Sequence, residues 1–115
     1  MTEERFTSRS EQECTVLELK GKMIENDSYD DLVVYVENQL SQGNRKFIID
    51  LGGLRLINSS GINLLVGLIK KINDHSAQVV FTRVPEKVSE LLNIIRLNAV
   101  LSVQKSIDDG IQFLN

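Results

Sequence analysis

Tryptophan is absent from this 115-residue chain, and cysteine, proline and histidine occur once each, as Cys14, Pro85 and His75. A lone cysteine excludes an internal disulfide and a thiolate zinc site built by this chain alone. Nothing basic adjoins Cys14 in sequence, so it reads as a small residue in or at the start of a strand rather than as a redox group. No apolar run approaches the roughly 20 residues that cross a bilayer, and the opening MTEERFTSRS is polar where an export signal is basic and then apolar. A cytoplasmic protein without a membrane partner is expected. A basic surplus is also missing: the formal net charge of -3 leaves no electrostatic footprint for direct nucleic-acid binding. The phosphate loop, the G-x-G-x-x-G turn and the H-E-x-x-H helix do not occur, so neither cofactor nor metal is expected. Asp30/Asp31 and Asp108/Asp109 are adjacent pairs and read as solvated charges at helix starts rather than as metal ligands or acid/base groups.

What is present fits one soluble domain spanning residues 1–115, with 42% hydrophobic and 25% charged residues. The chain is organised around Lys46 to Ile72. Phe47, Ile48 and Ile49 are too apolar and too short a run for an amphipathic helix, and read as a strand buried on both faces. Gly52 and Gly53 punctuate this strand, and a second apolar passage runs from Leu54 to Ile57. Asn58, Ser59 and Ser60 then offer side-chain oxygens that accept the unpaired N–H groups of a helix start. Ile62, Leu64, Leu65, Val66, Leu68, Ile69 and Ile72 cover an arc of roughly 200°, wider than one sheet face hides. That helix must be deeply buried or leave apolar surface beside the serines.

Around this centre, residues 1–5 read as a frayed end, and Phe6 to Ser10 pairs with Cys14 to Leu19 as a hairpin ended by Gly21. Caps at Asn26, Asp27 and Ser28 introduce a first helix over Tyr29 to Gln42, with Leu32, Val33, Val36 and Leu40 at helical spacing and Gly43 and Asn44 closing it. After a polar connection from Asn73 to Gln78 comes a strand at Val79 to Phe81. Pro85 opens a third helix with Val88, Leu91, Leu92 and Ile95 on its stripe and Asn98 at its exit. Leu101 to Val103 forms a last strand. A terminal helix carries Ile107, Ile111 and Leu114 and begins at Ser106, Asp108 and Asp109. Strands alternating with helices give an α/β fold, a sheet flanked by about four helices.

No catalytic constellation emerges. His75 lies beyond the far end of the helix that Ser59 and Ser60 begin, about 20 Å away at 1.5 Å per residue, out of reach of either hydroxyl. The plain structural reading makes both serines caps. A second reading adds chemistry: a phosphate on Ser59 brings about -1.5 to -2 charges to the positive end of a helix, where backbone N–H groups receive it without refolding the domain. Any interface over that first turn would change.

Residues 50–68, DLGGLRLINSSGINLLVGL, resemble the signature of the STAS domain, and in particular of bacterial anti-sigma factor antagonists. The similarity extends to Gly21, Asp50, Gly61 and the LLNIIRL segment at Leu91 to Leu97. It implies a mixed, largely parallel sheet of four or five strands in a non-catalytic domain, and a partner-switching role. The unphosphorylated form binds an anti-sigma factor that is itself a serine kinase, the kinase phosphorylates the first serine of the turn, here Ser59, and a PP2C-type phosphatase resets it. The partner surface then comprises Asn58, Ser60, Gly61, Ile62, Asn63 and Val66. This chain departs from the family pattern at Asn58, where Asp is usual, at Ile24, where an acid is frequent, and at Arg96, where glycine is usual. Asn58 favours an alternative, a STAS interaction module of a transport or stress-signalling assembly that works without phosphorylation.

Overall fold

A computed structural model describes residues 6–23, 30–94 and 102–115. Five strands form one sheet whose spatial order follows the chain: β1 (Phe6–Glu11), β2 (Cys14–Met23), β3 (Lys46–Ile57), β4 (Gln78–Thr82) and β5 (Ser102–Gln104). The hairpin pair β1 and β2 is antiparallel, and each later neighbour is parallel. This is the mixed, largely parallel sheet that the family resemblance implied, in the α/β order that the pattern gave. The helices are α1 (Asp30–Ser41), α2 (Ser59–Asp74), α3 (Glu86–Ile94) and α4 (Ile107–Leu114).

Side-chain alternation along β3 divides the core in two. Phe47, Ile49 and Leu51 point to the face covered by α1 and α2, where Leu32, Val36 and Leu40 meet Ile62, Leu65, Leu68, Ile69 and Ile72. Val88 of α3 joins the same cluster. Ile48 points the other way, to Cys14, Val16 and Val80 and to Ile111 and Leu114 of α4. Burial on both faces explains why this strand reads as a continuous apolar run. The wide stripe of α2 is resolved by burial: α1 and the sheet together enclose it, and Leu64 and Val66 pack partly buried at its margins.

Two expected breaks are not breaks. Gly52 and Gly53 lie inside β3, which runs unbroken to Ile57, and Gly21 lies inside β2, which runs on to Met23. Gly21 has φ +72° at a register shift between the two strands, so it supplies a left-handed residue within the ladder instead of ending it. β2 and β3 thereby extend as a two-stranded ribbon past Asp50, the last residue of β3 that pairs with β4. Gly43 closes α1 as expected, at φ +93°. The caps at Asn26, Asp27 and Ser28, the helix start at Tyr29, and Ile24, Ile95, Arg96, Asn98, Leu101 and residues 1–5 lie outside the described residues.

Candidate functional site

The ribbon delivers the chain to the start of α2. Asn58 has extended backbone angles (φ -117°, ψ -174°), and its side-chain Oδ1 accepts from the Gly61 N–H at 3.1 Å. Its carbonyl accepts from the Ile62 N–H at 3.0 Å, the first bond of the helix. Asn58 is therefore the cap, and the reading of Ser59 and Ser60 as caps is corrected. Both serines are the first helical residues, whose N–H groups have no partner within the helix, and both are exposed. Among the described residues, no hydrogen bond engages the Ser59 hydroxyl. α2 has no acidic residue in its first turn, whereas α1 begins with Asp30 and Asp31 and α4 carries Asp108 and Asp109 in its first turn.

The other residues expected around the turn fall into two groups. Asn63 is exposed, and Asn58 and Val66 are half-buried. Gly61 and Ile62 are buried, with Ile62 seated in the main core, so they support the turn from beneath rather than present it. The apolar exposure expected from Ile62 comes instead from Leu56, which is 50% exposed on β3, opposite Lys22. It belongs to the apolar passage from Leu54 to Ile57, and the ribbon's extension beyond the helix-covered sheet leaves it in solvent.

His75 is at the opposite end of α2, where its Nδ1 lies 2.8 Å from the Lys71 carbonyl, so the structure does not bring it to the serines. Cys14 is fully buried at the start of β2; burial, its largest influence, pushes the thiol up, against the opposing pull of Lys46.

A second polar cluster stands at the base of the ribbon, and of its members the sequence reading singled out only Asp50. Glu18, Asp50 and Thr82 are register neighbours across β2, β3 and β4. The Asp50 carboxylate is fully buried and accepts from Thr82 Oγ1 at 2.7 Å and from the Gly52 N–H at 3.0 Å. Arg83 grips it bidentately, Nε to Oδ2 at 2.9 Å and Nη2 to Oδ1 at 2.8 Å, and reaches Glu18 at 3.6 Å. Glu18 in turn accepts from Arg9 at 2.9 Å and from Thr7 at 3.2 Å. Burial pushes the Asp50 carboxyl up, but the hydrogen bonds from Arg83, Thr82 and Gly52, with the Arg83 charge, outweigh it and hold the group below the usual carboxylate range. Every buried polar side-chain atom among the described residues has a partner, so this cluster is a closed network and not a poised acid or base. It anchors the end of β3 from which the ribbon and the serine turn project. No group of acidic, histidine or cysteine side chains suited to a metal ion occurs among the described residues.

The STAS domain family model matches residues 5–110. No curated protein matches the chain by sequence. Among solved structures, an anti-sigma factor antagonist from Mycobacterium paratuberculosis aligns with a TM-score of 0.79 at 13% identity, over 95% of this chain and 92% of the other. The Bacillus cell fate determinant SpoIIAA in its phosphorylated form aligns at 0.75 and 14% identity, over 96% and 99%. The anti-sigma factor antagonist SpoIIAA in its unphosphorylated form aligns at 0.73 and 13%, over 94% of each chain. At such identities these likenesses are ones of fold, and with the family match over nearly the whole sequence they lead to one conclusion: the chain belongs to the STAS domain family.

Proposed function

We propose that this protein is an anti-sigma factor antagonist, a non-catalytic cytoplasmic binding protein whose hold on its partner is set by phosphorylation of Ser59. The observation that carries the reading is the division of labour at the start of α2: Asn58 caps the helix, which leaves the Ser59 hydroxyl exposed and without a structural duty. A kinase can reach it, and a phosphate there meets the unpaired N–H groups of the first turn and the positive end of the helix. The fold needs no rearrangement to hold it. The likeness in fold to SpoIIAA in both its phosphorylated and unphosphorylated forms supports that view.

In this reading the unmodified surface, built of Asn58, Ser60, Asn63 and Val66 over the buried Gly61 and Ile62, binds an anti-sigma factor that is also a serine kinase. Phosphate transfer to Ser59 places a dianion in the interface, where it must be desolvated or face the partner's carboxylates, and the complex parts. A PP2C-type phosphatase restores the hydroxyl. Incubating the chain with ATP and an extract of its own cells, followed by mass spectrometry of the Ser59 peptide, tests the reading. A phosphate on Ser59 is expected, and a residue left unmodified under every growth condition contradicts it in favour of a STAS module that works without phosphorylation.

A further inference from the structure

The two edges of the sheet are built differently. β5 closes one side with three residues, Ser102–Gln104, and so short a strand is one of the ordinary ways in which an edge is blunted against other chains. β1 closes the other with six, Phe6–Glu11, in unbroken register with β2 from Phe6↔Leu19 to Glu11↔Cys14, and it holds no bulge, proline or lysine. Its one cation does not guard the edge: Arg9 is turned onto Glu11 at 3.1 Å and Glu18 at 2.9 Å, within its own sheet. Ser8 lies opposite Leu17 on the face of α1 and α2, Arg9 lies opposite Val16 on the face of α4, and both are exposed, as is Ser10. Among the described residues, then, no helix overhangs the middle of the strand. The hairpin also fixes which backbone groups are free. Gln12 and Glu13 form a two-residue turn with φ +48° and +69°, which makes Glu11 and Cys14 a hydrogen-bonded pair. Thr7, Arg9 and Glu11 therefore direct their N–H and C=O groups at β2, while Phe6, Ser8 and Ser10 direct theirs outward, where the described sheet has no further strand.

We infer that β1 is a dimerisation edge, which pairs antiparallel with β1 of a second copy of this chain about a two-fold axis at Ser8. In that register Ser8 faces the second copy's Ser8 and Phe6 faces its Ser10, so every outward group of the strand is used, in about six backbone hydrogen bonds. Charge selects this register over the next. Moving the axis to Arg9 would set that residue against its own copy in a close, non-hydrogen-bonded pair, whereas the axis at Ser8 sets it against Thr7. The serine hydroxyls at the axis add hydrogen bonding across it, and their small size keeps the strands close. A second copy is the occupant because the strand is its own complement in this register. The inference does not depend on phosphorylation of Ser59, and what it adds to that reading is valency. β3 runs parallel to β2, so in the paired sheet the two copies of β3 run in opposite directions, and the two serine turns point to opposite ends. Each turn is left to a partner of its own.

The test needs neither a kinase nor a known partner. Sedimentation of the full chain under reducing conditions, from about 10 μM to about 1 mM, should show a monomer–dimer equilibrium. Ser8→Pro removes an outward N–H at the axis and none that bonds to β2, so it should weaken the dimer at least about tenfold. A thermal melt at the lowest concentration, where the parent is monomeric, checks that this variant is folded. Crosslinking fixes the register without relying on it. Ser8→Cys places two thiols across the axis on Cα atoms about 5.5 Å apart, within disulfide reach. Oxidised glutathione should link these copies, the two thiols giving up two protons and two electrons as the reagent is reduced to two glutathione thiols. Ser10→Cys is as exposed but lies opposite the second copy's Phe6, and it should link at most about a tenth as fast. A chain that sediments as a monomer throughout, a dimer that a folded Ser8→Pro leaves intact, or equal linkage of the two cysteine variants would overturn the inference.

Discussion

A Cβ on Gly52 would come within 2.7 Å of the Arg83 guanidinium, so the glycine is the seat on which that side chain lies while it grips Asp50. Arg83 reaches this seat from a left-handed backbone angle, φ +47°, which disfavours a residue with a side chain. Gly52→Ala should therefore displace the guanidinium, the mobile end of a long side chain, and cost at most what the ion pair contributes. Breaking a pair that leaves a carboxylate buried costs about 3–5 kcal/mol, and the half-exposed Arg83 and the remaining bonds from Thr82 and Gly52 reduce this to about 2 kcal/mol. Urea denaturation should show the full loss in Arg83→Ala and a loss no larger in Gly52→Ala, and no loss in either would mean that solvent already carries the charge.

The same pair sets an acid limit to stability. The folded Asp50 carboxyl lies below its ordinary range, so its contribution is fully present above the unfolded pKa, near 4, and is lost as pH falls through the folded value. The native chain should lose stability steeply in that acid window. Asp50→Asn should be less stable at pH 7 but lose less between pH 6 and pH 2.5. Parallel profiles of urea midpoint against pH would show that other carboxyls set the acid limit.

At the start of α2, cap and acceptor are different residues, which separates their mutational effects. Asn58→Ala removes the bond to the Gly61 N–H and should cost about 1 kcal/mol by thermal or urea unfolding. Ser59→Ala removes no hydrogen bond found among the described residues and should leave stability within about 0.5 kcal/mol of the parent. A larger loss from Ser59→Ala than from Asn58→Ala would place the capping role on the serine.

Cys14 should be inert in the folded protein. Its side chain has no exposure, and burial favours the neutral thiol over the nucleophilic thiolate. Alkylation by iodoacetamide, followed by intact mass, should proceed only in denaturant. Rapid modification of the native chain would expose an opening of the layer between β2 and α4.

Much of this architecture is visible in local pattern. The run at Phe47 to Ile49 is fully buried in the central strand, the stripe Leu32, Val36, Leu40 faces the core, and Ser106 caps α4 by accepting from the Asp109 N–H at 3.1 Å. The glycines at 21 and 52 misled because glycine usually interrupts a strand; Gly21 serves a left-handed backbone angle within the ladder, and the reason for Gly52 is distant in sequence. Gly52 makes room for Arg83, which meets β3 only after the chain has crossed through α2 and β4. The Asp50–Arg83 pair is hidden for the same reason: periodicity within a segment carries no information about a partner 33 residues away. At the serine turn, the chemistry was legible and its distribution was not. Asn, Ser and Ser all suit a helix cap, and only the backbone angles decide that Asn58 takes the role.

The central claim is that one covalent charge at Ser59 closes a docking surface while the fold beneath is unchanged. Calorimetric titration of the purified anti-sigma factor partner into the Ser59→Ala and Ser59→Asp variants, with melting temperatures measured on both, addresses it directly. The account predicts tight binding to Ser59→Ala, binding at least about tenfold weaker to Ser59→Asp, and closely similar melting temperatures. Equal affinities for the two variants, or a loss of binding that follows a loss of folding, would contradict it.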